Sequence, residues 1–198
     1  MAGGLSATRV PLSSSARDPL IHDWLTHTQS LTARLRRRSR CFAVQVLYQG
    51  RVPLRGIERR LLGAAAVAHA REVLLLADGV PVVWARTVLA PSALRGAWRF
   101  LGRLGTRPLG GRLFTDPGIT RTRFAFLPMR RLQARRAPPS VPLAGRRALL
   151  LRGGQAALLT EVLLPALRAV DGGDFRRAPG SPMQKGPQPL GRGPSGTR

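Results

Sequence analysis

A chain of 198 residues is long enough for one domain with a proper core, flanked by tails. Its formal charge is +24, and of 33 basic residues all but Lys185 are arginine, which leaves both nucleic-acid contact and a merely arginine-rich surface open. Cys41 is the single cysteine, excluding an intrachain disulfide and a thiolate metal centre; His22, His27 and His69 lack metal-ligand spacing, so no metal or other cofactor is expected.

Residues 1–17 are small, polar and uncapped, and are expected to form a flexible N-terminal arm. They contain no apolar signal core, and no run in the chain approaches membrane-spanning length, so a soluble, cytoplasmic protein is expected. Asp18-Pro19 is a helix-start signal, and Leu20, Ile21, Trp24 and Leu25 supply the stripe of a short amphipathic helix. Ser30 caps a second helix in which Leu31 and Leu35 share a face. The cationic run from Arg34 to Arg40 reads as a solvated face. Cys41 to Tyr48 alternates as a first strand, with Cys41 as a packed thiol.

Val73 to Ala77 and Val80 to Leu89 form a hairpin through Asp78-Gly79. Pro91-Ser92 then starts a helix with Leu94, Trp98 and Leu101 on one face, ended by Gly105. Thr120 to Leu127 reads as a fourth strand. Residues 128–145, rich in Arg and Pro, are expected to be a mobile loop. Arg146 to Arg152 and Ala156 to Leu164 make a final hairpin around Gly153-Gly154. Residues 171–198 are Gly/Pro-rich and basic, with almost no apolar content, and are expected to be a disordered tail. The main domain therefore covers 18–170, with an α+β fold of six mostly antiparallel strands and helices gathered against one sheet.

Two charges sit where apolar strands normally exclude them. Arg71 opens Arg71-Glu72-Val73-Leu74-Leu75-Leu76, and Glu161 interrupts Ala156-Ala157-Leu158-Leu159-Thr160-Glu161-Val162-Leu163-Leu164. A buried charge without compensation costs several kcal/mol, so each needs a partner, a proton or a ligand. A buried ion pair between them would satisfy both; so would a cavity holding a small polar carboxylate. Other motifs are missing. The stretch Gly105-Thr106-Arg107-Pro108-Leu109-Gly110-Gly111 lacks the Lys-Ser/Thr ending of a phosphate-binding loop. No serine sits on a strand-to-helix elbow. Gly102-Arg103-Leu104-Gly105 matches the GxxG of a KH domain only as a four-residue coincidence.

Four segments together resemble the chorismate pyruvate-lyase (chorismate lyase) family, over about residues 19–167 and in the family's order. They are Asp23-Trp24-Leu25 with Ser30-Leu31-Thr32; Arg71 to Pro81 continuing to Ala85-Arg86-Thr87-Val88; Leu104 to Phe114; and Leu158 to Pro165. The resemblance implies a six-stranded antiparallel sheet with helical flaps over an enclosed ligand cavity. It also implies a cofactor-free elimination of pyruvate from chorismate to give 4-hydroxybenzoate, the first committed step of ubiquinone biosynthesis. Arg71 and Glu161 match the family's ligand-binding arginine and glutamate, and both would serve catalysis. A main-chain contact falls on Leu109, and a position that is methionine in the family is Leu31 here. Arg86 is a further candidate, for the enolpyruvyl carboxylate.

The implied partners are chorismate and 4-hydroxybenzoate, in a monomer, with nucleic acid not a functional partner. Three alternatives stay open: an effector-binding module of the same fold, for which residues 1–17 leave no room for an upstream DNA-binding motif; a basic nucleic-acid-binding protein; and a relative making 3-hydroxybenzoate.

Overall fold

The computed structural model describes residues 18–54, 56–63, 67–127 and 140–172. The expected arm at 1–17, residues 128–139 of the expected loop and the tail from 173 onward lie outside the described residues. Helix α1 is Pro19–Thr26, with the Asp18 side chain accepting a hydrogen bond from the Leu20 amide at 3.0 Å. Helix α2 is Leu31–Arg38, capped by Ser30 Oγ, which accepts from the Ala33 amide at 3.1 Å. Of the expected stripes, Ile21, Trp24 and Leu25 in α1 and Leu31 and Leu35 in α2 are buried, and Leu20 is half-buried against them. Arg34 departs from the expected solvated run. It is buried, stacks 3.8 Å from the Trp24 ring centroid and pairs with Asp23 at 2.5 Å. Covering an indole with a guanidinium plane buries apolar area while leaving N–H groups free for carboxylates.

Among the described residues, seven antiparallel strands form one sheet. They are β1 (Phe42–Pro53), β2 (Val67–Ala77), β3 (Val80–Leu89), β4 (Thr120–Arg121), β5 (Ala125–Leu127), β6 (Ala144–Arg152) and β7 (Gln155–Leu163). Their order is β1-β2-β3-β7-β6-β4, with β5 also paired to β6. Both hairpin turns have two central residues at positive φ, Asp78 (49°) with Gly79 (83°) and Gly153 (51°) with Gly154 (71°). That is the conformation whose twist matches the flanking strands, and it explains why these dipeptides announce the hairpins.

The expected fourth strand is in fact two. Arg121 pairs with Leu150 and Ala125 with Arg147, so three outer residues oppose two of β6, a bulge. Thr122 causes the break: its Oγ1 accepts from the Leu149 amide at 3.0 Å, replacing a ladder bond. β1 and β2 also run further than expected, pairing Pro53 with Val67 through Gly50 and Arg51. A helix that the sequence reading lacked, α3 (Gly56–Leu62), follows β1. β6 begins at Ala144, inside the segment expected to be loop.

After β3, one expected helix is split into α4 (Pro91–Arg95) and a 3-10 turn (Arg99–Arg103). The break is at Gly96, where a Cβ would lie 2.5 Å from Gln155 Oε1, and that oxygen accepts from the Ala97 amide at 2.7 Å. Trp98 and Leu101 are still buried as expected. Helix α5 (Leu109–Leu113) follows, and α6 (Leu167–Gly172) closes the described chain. Helix α6 runs two residues past the expected boundary at 170, and Asp171 within it accepts from Trp24 Nε1 at 2.6 Å and pairs with Arg34 and Arg38. Cys41 is exposed rather than packed, because it precedes β1 and its amide is held by Asp78 Oδ1 at 2.7 Å.

The α+β architecture is therefore as expected, with one addition that positions the site. On one face of the sheet the core divides into two clusters. One gathers α1, α2 and α6 around Trp24, Leu35, Val83 and Leu163; the other gathers α4, the 3-10 turn and α5 around Trp98, Leu101, Leu109 and Leu150. Among the described residues no helix is long and apolar enough to cross a membrane, and no group of three or more His, Cys, Asp or Glu could hold a metal ion.

Candidate active site

A cavity opens between those two clusters. Its floor is the sheet face bearing Arg71, Val73, Ala85, Thr87, Leu159, Glu161 and Arg146; its roof is Leu31 and Thr32 of α2 with Pro108, Leu109 and Gly110 at the start of α5. The space is about 80 Å³ for the centres of water-sized molecules, several times the roughly 10–15 Å³ that one water needs. The two roof pieces touch where Gly110 sits: a Cβ there would lie 2.8 Å from Thr32 Oγ1 and 3.0 Å from Ser30 Oγ. Only glycine lets α5 approach α2 this closely.

Arg71 and Glu161 share this cavity, yet they form no ion pair with each other. Arg71 is 4% exposed, and its Nη2 donates to the carbonyls of Gly105 (2.8 Å) and Arg107 (3.3 Å) in the loop before α5. Its Nε is buried with no hydrogen-bond partner, and no described carboxylate pairs with it. Burial alone holds the Arg71 guanidinium below its ordinary pKa. An anion arriving here would therefore meet a cation already desolvated and unneutralised, which strengthens the contact.

Glu161 has a different partner. Arg146, directly opposite on β6, donates from Nε to Glu161 Oε2 at 2.7 Å. Arg146 is 1% exposed, and its Nη1 also donates to the carbonyls of Leu25 (3.0 Å) and His27 (2.6 Å) at the end of α1. Glu161 Oε1 takes no hydrogen bond from a described residue. Reading residue types alone missed Arg146, but a signal was present. A two-residue turn at Gly153-Gly154 pairs Arg152 with Gln155, and counting back along that ladder pairs Arg146 with Glu161.

Leu31 and Leu109 are both buried and line the cavity. Each is the first residue of its helix, where amides have no acceptor within the helix. Arg86 is not in the cavity. Counting from Asp78-Gly79 would set Arg86 opposite Arg71 on the same face, but Leu76 pairs with Pro81 and Leu75 with Val83, so Val82 is an extra residue. The slip turns Arg86 to the back of the sheet, opposite Glu72. There it donates to Glu58 Oε1 at 2.8 Å and to Glu72, all three being buried beneath α3. Burial opposes ionisation of Arg86, but the two carboxylates outweigh it and hold its pKa above the ordinary value.

Arg121 is a second cavity residue that sequence reading passed over. It comes from β4, stacks 4.0 Å from the Phe124 centroid and donates to the Thr28 carbonyl at 2.7 Å. Partial burial and then the neighbouring Arg146 push its pKa down.

Comparison with known proteins places these features in a family. A chorismate lyase family model matches residues 10–170. A probable chorismate pyruvate-lyase of Ralstonia nicotianae is 46% identical over 162 residues, covering 75% of this chain and 83% of the relative. A protein of the same name from Aromatoleum aromaticum is 44% identical over 158 residues, 74% of this chain and 85% of the relative. Among solved structures, the effector domain of PhnF from Mycobacterium smegmatis aligns with a TM-score of 0.44 at 13% identity, over 71% of this chain and 91% of that one. With the family model spanning most of the chain, and with relatives this similar over most of their own length, the chain belongs to the chorismate lyase family.

Proposed function

We propose that the protein eliminates pyruvate from chorismate to give 4-hydroxybenzoate, the first committed step of ubiquinone biosynthesis. The observation that carries this reading is Arg71: a buried guanidinium in a cavity, without a carboxylate partner among the described residues, beside a carboxylate that is paired elsewhere. Membership in the chorismate lyase family supports the choice of substrate.

The chemistry asks little of the protein beyond placement. The C3–O bond of chorismate breaks, its electrons go to the enolpyruvyl oxygen, the C4 hydrogen leaves as a proton, and one proton is gained at the enolpyruvyl methylene. Atoms and electrons balance as 4-hydroxybenzoate plus pyruvate, and aromatisation drives the step. Arg71 holds the ring carboxylate, a charge-assisted contact worth roughly 1.5–3 kcal/mol. Glu161 meets the C4 hydroxyl through Oε1, orienting it and favouring electron release into the ring. Arg146 fixes the carboxylate from its other oxygen, which spares the site the cost of ordering it at the moment of reaction. The first amides of α2 and α5, at Leu31 and Leu109, offer main-chain donors from the roof.

The test is pyruvate release from chorismate by the purified protein in the presence of EDTA, with proton NMR of the aromatic product. A folded protein that releases no pyruvate would reject the reading, and a 3-hydroxybenzoate spectrum would reassign the product.

A further inference from the structure

Four ionisable side chains line the cavity: Arg71, Arg121, Arg146 and Glu161. Arg146 and Glu161 neutralise each other at 2.7 Å. Two positive charges, Arg71 and Arg121, remain, and no described carboxylate forms an ion pair with either. A site with two uncompensated guanidiniums is matched in charge to a dianion rather than to a monoanion.

Their placement separates the two charges. Counting along the sheet from β7, which bears Glu161, Arg71 is two strands away on β2 and Arg121 two strands away in the opposite direction on β4. At roughly 4.8 Å per strand, the two backbones lie about 10 Å to either side of β7, Arg71 in the row of Leu159 and Arg121 in the row of Ala157. Both side chains nevertheless line the cavity that Glu161 lines, so one ligand can touch all three. Arg71 is buried, whereas Arg121 is exposed at the rim. Arg121 is nevertheless ordered: Thr28 takes one N–H, and the Phe124 ring supports the guanidinium plane. A planar donor fork held in this way loses little freedom when it meets a carboxylate.

We infer that Arg121 receives a second substrate carboxylate, that of the enolpyruvyl arm, while Arg71 holds the ring carboxylate. This assignment rests on the chorismate lyase reading, and it gives Arg121 the place that Arg86 cannot take. It also makes Arg121 a discriminator. Chorismate carries both carboxylates; 4-hydroxybenzoate retains only the one at Arg71; pyruvate leaves with the one at the rim, nearest the exit.

The experiment measures kcat and KM for chorismate, and Kd for 4-hydroxybenzoate by calorimetry, in the wild type, Arg121→Ala and Arg121→Lys. The alanine variant should lose about tenfold or more in kcat/KM while binding 4-hydroxybenzoate within about twofold of wild type. Lysine should recover part of the loss, since it restores charge without the fork. Unchanged kcat/KM in Arg121→Ala, or equal weakening of substrate and product, would overturn the assignment while leaving the activity in place. A folded wild type that releases no pyruvate would overturn both together.

Discussion

Arg146 and Glu161 stand directly opposite each other on β6 and β7 and meet at 2.7 Å, and through Arg146 the carboxylate is tied to the carbonyls that end α1. The floor of the cavity and the end of α1 therefore share a single guanidinium. The glutamate is held by an arginine other than the one it resembles a partner for in the sequence, and that separates its structural role from its chemical one.

The two roles can be measured apart. Glu161→Gln keeps an oxygen for Arg146 but removes the charge, so kcat should fall by about 10²-fold or more with a modest loss of melting temperature. Arg146→Met should instead destabilise by about 3–5 kcal/mol, because it leaves a carboxylate and the α1 carbonyls unpaired. The double variant should lose less stability than the two single losses added. A glutamine variant with normal turnover in whatever remains folded would make Glu161 purely structural.

Arg71→Ala should weaken both chorismate and 4-hydroxybenzoate, by on the order of 2 kcal/mol, since a charged hydrogen-bond partner is lost in a desolvated place. Arg71→Lys should regain only part, because an ammonium on that stem cannot also donate to two loop carbonyls in the geometry of a planar fork. Wild-type product affinity in the alanine variant, measured by calorimetry, would remove Arg71 from the site.

Arg86 offers the opposite pattern. It is enclosed with Glu58 and Glu72 on the back of the sheet. Arg86→Ala should cost about 3–5 kcal/mol of stability by leaving two buried carboxylates without their cation. At a temperature where the variant is folded, its KM for chorismate should equal that of the wild type. A selective rise in KM without a fall in melting temperature would return Arg86 to the ligand site.

The strands, both tight turns and the first two helices were legible because each rests on local chemistry: Asp18 and Ser30 caps, Asp78-Gly79 and Gly153-Gly154 turns, and alternating apolar residues. The departures came from contacts between distant residues. Gln155 breaks the helix after Pro91 at Gly96; Thr122 splits a strand by taking the Leu149 amide; Val82 slips the first hairpin by one residue and sends Arg86 to the far face. The charges at Arg71 and Glu161 stood out because apolar strands surround them. Arg146 did not, since it lies in a sequence where arginine is everywhere, and only the ladder register singles it out.

The end of the described chain also matters for the roof. Asp171 joins Trp24 of α1 to Arg34 and Arg38 of α2. A chain ending at Gly172 should keep the wild-type melting temperature and turnover. A chain ending at Val170 should melt lower and show raised KM, because α1 and α2 lose their common acceptor. Equal behaviour of the two truncations, compared by thermal unfolding and steady-state kinetics, would show that Asp171 does not hold the flaps.

The gap between the two apolar clusters also shapes how this chain can change over time. Ala85 and Thr87 leave room in the middle of the sheet face where a Leu or Ile would bridge the clusters. Protein interiors gain from filling such space, so selection for heat tolerance and selection for the reaction pull in opposite directions at these positions. A lineage released from the need for the ligand would be free to close the gap, and its descendants would keep the fold, grow more robust and lose the chemistry without a single change at Arg71 or Glu161.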